Sequence, residues 1–201
     1  MRSRYSIMER SHRRRDELSH ADHHMTLVDL PKGAKIIGNK WVLRKNLNPD
    51  GSIAKYKARL VAKGFTQVSG VDYFDIYSSV CHYATIRILL ALASIEYYTF
   101  YQMDVKTAFL NGDLTEEICM HQPEGFFIED LKNKVCKLIM SLYGLKQAPK
   151  MWHEKFDTCV KDLSFKSSLS DKCLYVRTSA NKVVIICLYV DDMLSLGTDQ
   201  F

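Results

Sequence analysis

Apolar residues form two kinds of pattern along this chain, and the clearest group lies near its end. Eight uncharged residues rich in Val and Ile occupy positions 183–190, followed by Asp191, Asp192 and a second apolar run over 193–196 that closes at Gly197. Short runs of this composition are typical of strands rather than helices. The pattern therefore predicts a hairpin with the two carboxylates at its tip.

A second hairpin is predicted in the first third of the chain. Strand-like segments over 36–43 and 52–61 flank the Asn-Pro-Asp-Gly turn sequence over 48–51. In the second arm, cations alternate with other residues, and a period of two places Lys55, Lys57 and Arg59 on one face. Two interpretations of this row stay open: a surface that grips a nucleic-acid or triphosphate backbone, and a plain solvated strand face.

Two helices are predicted from apolar residues spaced by three and four positions. The first covers 84–95, with a buried face of Ile86, Leu89, Leu90 and Ala93. The second starts at Pro149, which suits the first turn of a helix, and its buried face consists of Trp152, Phe156, Cys159, Val160 and Leu163. Shorter strand-and-turn patterns cover 27–33, 97–105, 118–127 and 134–142. This alternation of strands and helices predicts one α+β unit.

Asp104 ends the aromatic-rich strand pattern and is a candidate third carboxylate, placed beside the hairpin by a neighbouring strand. The Asp191–Asp192 pair by itself has two readings. Two like charges 4 Å apart repel by roughly 4 kcal/mol at an effective dielectric constant near 20. A divalent cation offsets that repulsion, and Mg²⁺ prefers carboxylates, water and phosphates. Asp is also common in plain turns, so the metal site and the ordinary turn both stay open.

Composition indicates an ordinary globular protein. The chain has 201 residues, of which 47% are hydrophobic and 25% charged. No uncharged apolar run approaches the ~20 residues of a membrane-spanning helix, so no membrane association is expected. The six cysteines show neither CxxC pairing nor zinc-ligand spacing. They are read as reduced thiols, mostly in the core of an intracellular protein, either cytoplasmic or nuclear.

The net charge of +5 is unevenly distributed. Residues 1–15 contain six Arg and one Glu, and the section 32–63 contains nine Lys or Arg with Asp50 as its one acid. Residues 1–24 are interpreted as a solvated tail, with a nuclear signal at Arg13–Arg15 or a transit peptide as alternatives. The basic section suits a polyanionic partner.

Five segments, taken together, resemble a known family. They are 57–65, KARLVAKGF; 102–112, QMDVKTAFLNG; 122–126, QPEGF; 141–149, SLYGLKQAP; and 188–194, LYVDDML. In this order they resemble the reverse transcriptase of copia-type LTR retrotransposons, over residues 26–201. Any one of these motifs is a weak signal, whereas five in order make a chance match improbable.

The resemblance implies a right-hand polymerase fold. Residues 25–201 would form the fingers and palm, with an antiparallel palm sheet, packed helices and no thumb. It also implies RNA- and DNA-templated DNA synthesis with two Mg²⁺ ions, for which Mn²⁺ is a possible substitute. Matched by position, Asp104, Asp191 and Asp192 are the catalytic, metal-binding carboxylates, and Val105 contributes its backbone carbonyl to the metal site.

The same resemblance implies roles for residues that contact nucleotide and primer. Lys57, Arg59, Phe109, Tyr143 and Gly144 match nucleotide-binding positions, and Phe109 matches the bulky residue that excludes a 2′-hydroxyl. Tyr189 matches a position near the primer end. The implied partners are an RNA or DNA template with its primer, deoxynucleoside triphosphates, and the other parts of a Pol polyprotein, namely thumb, ribonuclease H and integrase.

Departures from the family pattern leave a second hypothesis open. Ser78-Ser79-Val80 stands where a Ser-Pro-Val segment is usual, and the chain stops at Phe201, nine residues after Asp192. We therefore expect either a polymerase core or a decayed, non-catalytic fragment that holds nucleic acid through the basic section and the tail. A magnesium-dependent nuclease is less well supported, because the chain offers no second acidic cluster.

Overall fold

A computed structural model describes residues 24–125, 131, 133–180 and 182–198. Nearly all of the predicted tail, as well as Phe126, Phe127 and Phe201, lies outside the described residues. The folded part includes His24, which is buried and whose carbonyl accepts a hydrogen bond from the Ile139 N–H at 2.8 Å.

Eleven strands and two α-helices are present within these residues. The strands are β1 Met25–Val28, β2 Ile36–Ile37, β3 Asn39–Leu47, β4 Ile53–Ala62, β5 Thr99–Asp104, β6 Cys119–Met120, β7 Val135–Leu138, β8 Lys166–Ser167, β9 Leu174–Ser179, β10 Lys182–Tyr189 and β11 Asp192–Gly197. The helices are α1 Tyr83–Ile95 and α2 Ala148–Asp162, and short 3₁₀ helices cover Gly64–Thr66 and Ala108–Asn111. Neither α-helix has the length and apolarity that crossing a bilayer requires.

Residue contacts divide the chain into two compact units. Within the described residues, the first unit contains 24–76 together with Asp113–Ala148, and the second contains Tyr77–Gly112 together with the segment that starts at Pro149. From the sequence, residues 25–201 are predicted to form one core. Each unit has its own sheet and its own buried side chains.

The first unit combines a small mixed sheet with a long hairpin. The sheet has the order β1-β7-β6-β2, with β2 parallel to β6 and the other pairs antiparallel. The β3–β4 hairpin confirms the prediction made from the turn at 48–51. The strand predicted over 36–43 is divided at Gly38, because Ile36 and Ile37 pair with β6 whereas β3 pairs with β4.

The second unit is built on a five-stranded antiparallel sheet in the order β5-β11-β10-β9-β8. Its core contains Trp152, Phe156 and Val160 of α2 together with Tyr175 and Leu188 of the sheet. The ring centroids of Trp152 and Phe156 lie 5.8 Å apart, and those of Phe156 and Tyr175 lie 5.6 Å apart. Aromatic pairs at these separations add to the stabilisation that comes from burial.

Three residues predicted to be buried are exposed. On α1, Leu89 and Ala93 are buried, but Leu90 is 42% exposed. On α2, the buried stripe runs through residues four apart, 152, 156 and 160, and Cys159 lies outside this narrow stripe. Leu163 is 59% exposed because the helix has already ended at Asp162. The other five cysteines are buried thiols, as predicted.

Asp171 joins the loop before β9 to the start of α1. His82 precedes that helix without capping it through its own side chain. The Asp171 carboxylate instead accepts hydrogen bonds from the His82 N–H at 3.1 Å, the Thr85 hydroxyl at 2.7 Å and the Cys173 N–H at 3.0 Å. Burial by itself raises the pKa of Asp171, but these hydrogen bonds outweigh burial and bring the pKa to about 2, against an ordinary value of 3.8.

We expect Asp171→Asn to destabilise the second unit. The neutral amide loses the charge-assisted acceptor and turns an N–H₂ group toward existing donors, so the free energy of unfolding should fall by about 1–3 kcal/mol at pH 7. Urea denaturation followed by Trp152 fluorescence, in a Trp41→Phe background, measures this change. Asp162→Asn, at an exposed carboxylate on the same unit, should change stability by less than about 0.5 kcal/mol.

The stability that Asp171 contributes depends on pH in a defined direction. Because the pKa of Asp171 is lower in the folded chain than in the unfolded chain, its contribution of about 2 kcal/mol is fully present above about pH 5 and is lost as the pH falls through 3.8 toward 2. Asp171→Asn should therefore flatten the acid limb of the stability profile. A profile with an unchanged acid limb would contradict the role given to this carboxylate.

Candidate active site

The pairing of β5 with β11 brings the predicted carboxylates together. Asp104, the last residue of β5, lies directly opposite Asp192, the first residue of β11. One residue further on, the Val105 N–H donates to the Asp191 carbonyl oxygen at 2.9 Å. The three acids therefore occupy neighbouring backbone positions at one end of the sheet, which confirms that Asp104 lies beside the hairpin.

The tip of the hairpin differs from the prediction. The register runs to the Tyr189–Asp192 pair, so the two turn residues are Val190 and Asp191, and Asp192 already belongs to β11. Val190 has a φ of 59°, a left-handed conformation that β-branched residues avoid and that costs about 1–3 kcal/mol. The two acids therefore differ in setting: one lies in a strained turn and the other on a regular strand.

The three carboxylates belong to exposed residues. At such positions, the repulsion between two like charges 4 Å apart approaches the ~1 kcal/mol of bulk water rather than the roughly 4 kcal/mol expected at an effective dielectric constant near 20. Gln102 Nε2 donates to Asp192 Oδ1 at a long 3.4 Å. Nowhere in the described part of the chain do three His, Cys, Asp or Glu side chains converge closely enough to hold a metal ion.

The donor chemistry nevertheless fits a hard cation. Carboxylate and backbone carbonyl oxygens are the protein ligands that Mg²⁺ takes alongside water and phosphate oxygens. The predicted backbone ligand is the Val105 carbonyl. The hydrogen bond from the Val105 N–H to the Asp191 carbonyl keeps this residue beside the acids. Because the acid side chains are exposed, they can rotate without repacking the core.

Tyr189 and Phe109 both belong to the second unit. The Tyr189 hydroxyl lies 2.9 Å from the Tyr83 hydroxyl of α1, and this hydrogen bond raises the pKa of Tyr189. Phe109 is half-buried in the 3₁₀ helix Ala108–Asn111 and packs against the core. The predicted positions of these two side chains near primer and sugar stay predictions.

Four of the five predicted nucleotide-binding residues, Lys57, Arg59, Tyr143 and Gly144, lie in the first unit. The Arg59 guanidinium carbon lies 5.8 Å from the centre of the Tyr143 ring, within the range of a cation–π contact. The Tyr143 carbonyl accepts a hydrogen bond from the Ala62 N–H at 2.7 Å. The loop that contains Tyr143 and Gly144 is thereby fastened to the end of β4, the strand that carries Lys57 and Arg59.

Glycine residues permit the close contact between the Tyr143–Gly144 loop and the end of β4. Gly144 has a φ of 89°, and a Cβ at this position would lie 2.2 Å from the Ala62 carbonyl oxygen. A Cβ at Gly64 would lie 1.9 Å from the Gly144 carbonyl oxygen. Only residues without side chains let the two backbones approach so closely.

A buried polar network supports the same loop. Gln147 is fully buried and Gln67 is 5% exposed. Gln67 Nε2 donates to Gln147 Oε1 at 3.0 Å, and Gln67 Oε1 accepts the Lys146 N–H at 2.8 Å. Gln147 Nε2 donates in turn to the Asp72 carbonyl at 3.0 Å. Buried amides satisfied in this way favour one geometry over its alternatives.

The β3–β4 register extends the predicted row of cations. Arg44 lies opposite Lys57, and Lys40 lies opposite Val61, so both belong to the face that carries Lys55, Lys57 and Arg59. Neither strand contains an acidic residue. This basic face therefore consists of five cations: Lys40, Arg44, Lys55, Lys57 and Arg59.

The contacts or positions of several residues at these sites were not predicted from the sequence. Gln67 gave no signal, because an isolated Gln carries no periodicity, and Gln147 was noted only as part of the segment 141–149. Trp152 was predicted as a core residue only, whereas its indole N–H donates to the Val190 carbonyl at 2.7 Å. Because the N–H of a buried Trp usually finds an acceptor, the predicted burial of Trp152 could have indicated that its indole makes a hydrogen bond. Lys40 and Arg44 required the strand register.

A hairpin and a neighbouring strand thus present three acids at one end of the sheet, the arrangement that the resemblance to reverse transcriptases implies. The family described as reverse transcriptase (RNA-dependent DNA polymerase) matches this chain over residues 22–201. The chain therefore belongs to the reverse transcriptase family. No solved structure matches it.

Its relatives are Pol polyproteins of transposons, including copia-type plant elements. The chain is 49% identical to the retrovirus-related Pol polyprotein from transposon TNT 1-94 of Nicotiana tabacum, over 87% of its own length and 13% of the relative's. It is 43% identical to the corresponding polyprotein from transposon RE1 of Arabidopsis thaliana, over 84% of its length and 12% of the relative's. A truncated Ty1-A Gag-Pol polyprotein of Saccharomyces cerevisiae is 30% identical over 82% of the chain and 13% of the relative. The chain thus spans about an eighth of these proteins.

We expect Gly144→Ala to destabilise the first unit by about 3 kcal/mol or more, because the new methyl group meets backbone atoms that cannot move aside. Denaturation followed by Trp41 fluorescence, in a Trp152→Phe background, reports on that unit.

Gly33→Ala is the matched control. Gly33 has a φ of 81°, but no atom lies within 4 Å of an added Cβ, so the conformational cost of about 1–2 kcal/mol acts alone. Equal losses in the two variants would show that positive φ, and not the contact with β4, makes glycine necessary at position 144.

Proposed function

We propose that this chain is the fingers and palm portion of a copia-type RNA-directed DNA polymerase, with the second unit as palm and the first as fingers. The observation that carries the proposal is the β5–β11 register, which aligns Asp104 with Asp192 and joins Val105 to Asp191. Membership of the reverse transcriptase family supports the same reaction class.

Asp104, Asp191, Asp192 and the Val105 carbonyl would hold two Mg²⁺ ions. When bound, such ions activate a primer 3′-hydroxyl and neutralise charge on the leaving pyrophosphate. The chain's own contribution is to keep the acids at fixed backbone positions before substrate arrives. That preorganisation is the largest part of what a protein adds to in-line nucleotidyl transfer.

The remaining predicted residues have roles in binding. Lys57 and Arg59 would neutralise the triphosphate of an incoming deoxynucleotide, and Tyr143 with Gly144 would form the wall against which it packs. Phe109 would exclude a 2′-hydroxyl, and Tyr189 would contact the primer end. An RNA or DNA template with its primer is the proposed partner, and the remaining parts of a Pol polyprotein would complete the grip on it.

A non-catalytic role in holding nucleic acid is the second candidate. The basic face supports it, because Arg44 and Lys57 lie opposite each other, an arrangement that destabilises a bare hairpin. A polyanion bound across the face removes that repulsion and releases counterions. This role would not depend on the three carboxylates.

Primer extension on poly(rA)/oligo(dT) with Mg²⁺ tests the first candidate. We expect extension by the wild-type chain, and a loss of more than about a hundredfold in Asp104→Asn, Asp191→Asn and Asp192→Asn, because each removes a ligand worth several kcal/mol in the transition state. Asp162→Asn, an exposed acid at the end of α2, should retain activity. Extension that survives Asp191→Asn would refute the catalytic assignment.

Salt-dependent binding of the same template–primer tests the basic face. Arg44→Gln with Lys57→Gln should reduce the slope of log affinity against log salt by about 2, because two phosphate contacts are lost. Lys45→Gln is the control, since Lys45 lies on the opposite face, 6.0 Å from the centre of the Tyr56 ring. An equal loss in the control would mean that the basic face makes no specific contact.

A further inference from the structure

Trp152 reaches from α2 to the turn that contains Asp191. The residue is 7% exposed, and its indole N–H donates to the Val190 carbonyl oxygen at 2.7 Å. A buried indole usually finds an acceptor. Here the acceptor is the peptide group that joins the two turn residues of the candidate active site.

The turn needs support from outside the hairpin. Val190 has a φ of 59°, and such a conformation persists only where the surroundings determine it. The hairpin register ends at the Tyr189–Asp192 pair, so strand pairing does not fix the two turn peptides. The carbonyls of these two turn residues are therefore available to donors from other elements.

Two hydrogen bonds hold the turn carbonyls. The Val190 carbonyl accepts from Trp152 Nε1, and the Asp191 carbonyl accepts from the Val105 N–H at 2.9 Å. One donor belongs to α2 and the other follows β5. The turn is therefore held between two elements, while its carboxylate stays exposed.

The helix that provides the indole is itself firmly placed. A Cβ at Gly112 would lie 2.7 Å from the Met151 Cβ and 2.9 Å from the Trp152 backbone nitrogen. The backbone at Gly112, in the segment that follows β5, therefore lies directly against the backbone of α2. On its other side the indole packs against Phe156, which packs against Tyr175 of β9. Trp152 thus has little freedom to move away from the turn.

We propose that Trp152 is a positioning residue of the candidate active site. Its indole N–H keeps the Val190 peptide in the left-handed conformation and thereby sets the direction in which Asp191 and Asp192 present their carboxylates. The effect on metal binding rests on the proposed function. The hold on the turn does not, and the two are measured separately.

Hydrogen exchange measures the hold on the turn, with three variants of the 201-residue chain. Trp152→Phe removes the donor and keeps an aromatic ring. Phe156→Leu removes ring volume from the same stack and keeps the donor. Trp41→Phe removes an indole N–H that donates to the Glu124 carbonyl at 3.0 Å in the first unit.

We expect amide exchange in a peptide covering 188–194 to be faster in Trp152→Phe by about tenfold, the factor that corresponds to one lost hydrogen bond. Exchange over 183–187 should match the wild type. Phe156→Leu and Trp41→Phe should leave the ratio between the two peptides unchanged. A wild-type ratio in Trp152→Phe, or an equal change in Phe156→Leu, would overturn the proposal.

Binding of Mn²⁺, followed by electron paramagnetic resonance, measures the consequence. Trp152→Phe should weaken Mn²⁺ affinity by about tenfold, as expected for loss of a residue that orients metal ligands, whereas Trp41→Phe should not. Where the wild type binds Mn²⁺ more tightly than Asp191→Asn does, unchanged affinity in Trp152→Phe would overturn the positioning role. If the wild type binds no more tightly than Asp191→Asn while the exchange difference persists, the hold on the turn is supported and the metal-dependent function is what fails.

Discussion

The antiparallel register between β5 and β11 is the constraint on which the candidate active site depends. Side chains alternate along a strand, so a slip of one residue would turn Asp104 to the opposite face and pair Asp192 with Met103 or Val105. The register is held over six pairs, from Gly197–Thr99 to Asp192–Asp104. The buried side chains of β11 include Leu196 and Ser195. Because all six residues of β5 are exposed, the backbone ladder, and not burial of β5 side chains, places the Asp104 carboxylate beside the hairpin.

The two units use the same kind of main-chain hydrogen bond to position the predicted functional side chains. In each, a backbone N–H at the end of a strand donates to a carbonyl in a loop: Val105 to Asp191 in the second unit, and Ala62 to Tyr143 in the first. Main-chain hydrogen bonds place the loop without using its side chains. The Asp191 carboxylate stays exposed as a result, and the Tyr143 ring lies under Arg59. Such preorganisation reduces the ordering that substrate binding would otherwise require.

Most of the secondary structure followed from periodicity, because strands and helices leave different spacings of apolar residues in the sequence. Both long hairpins, both helices and the neighbourhood of Asp104 and Asp191 could be predicted in that way. The position of Asp192 on a strand could not, since it depends on Val190 adopting a conformation that its side chain disfavours. The burial of Gln147 was equally inaccessible: a polar residue is buried only when tertiary partners satisfy it, and those partners lie 75–80 residues away.

Several positions where local preference and structure disagree lie at or beside the predicted functional residues. A β-branched residue with positive φ lies beside Asp191, two acids face each other across β5 and β11, and two cations face each other across β3 and β4. Each arrangement is unfavourable by itself, and each becomes favourable only with a ligand of opposite charge or a contact from another element. Natural sequences keep conflicts of this kind mainly where function requires them. At the acidic sheet end and on the basic face, charged side chains of like sign therefore lie opposite each other, and each of the two surfaces by itself is suited to a ligand of opposite charge.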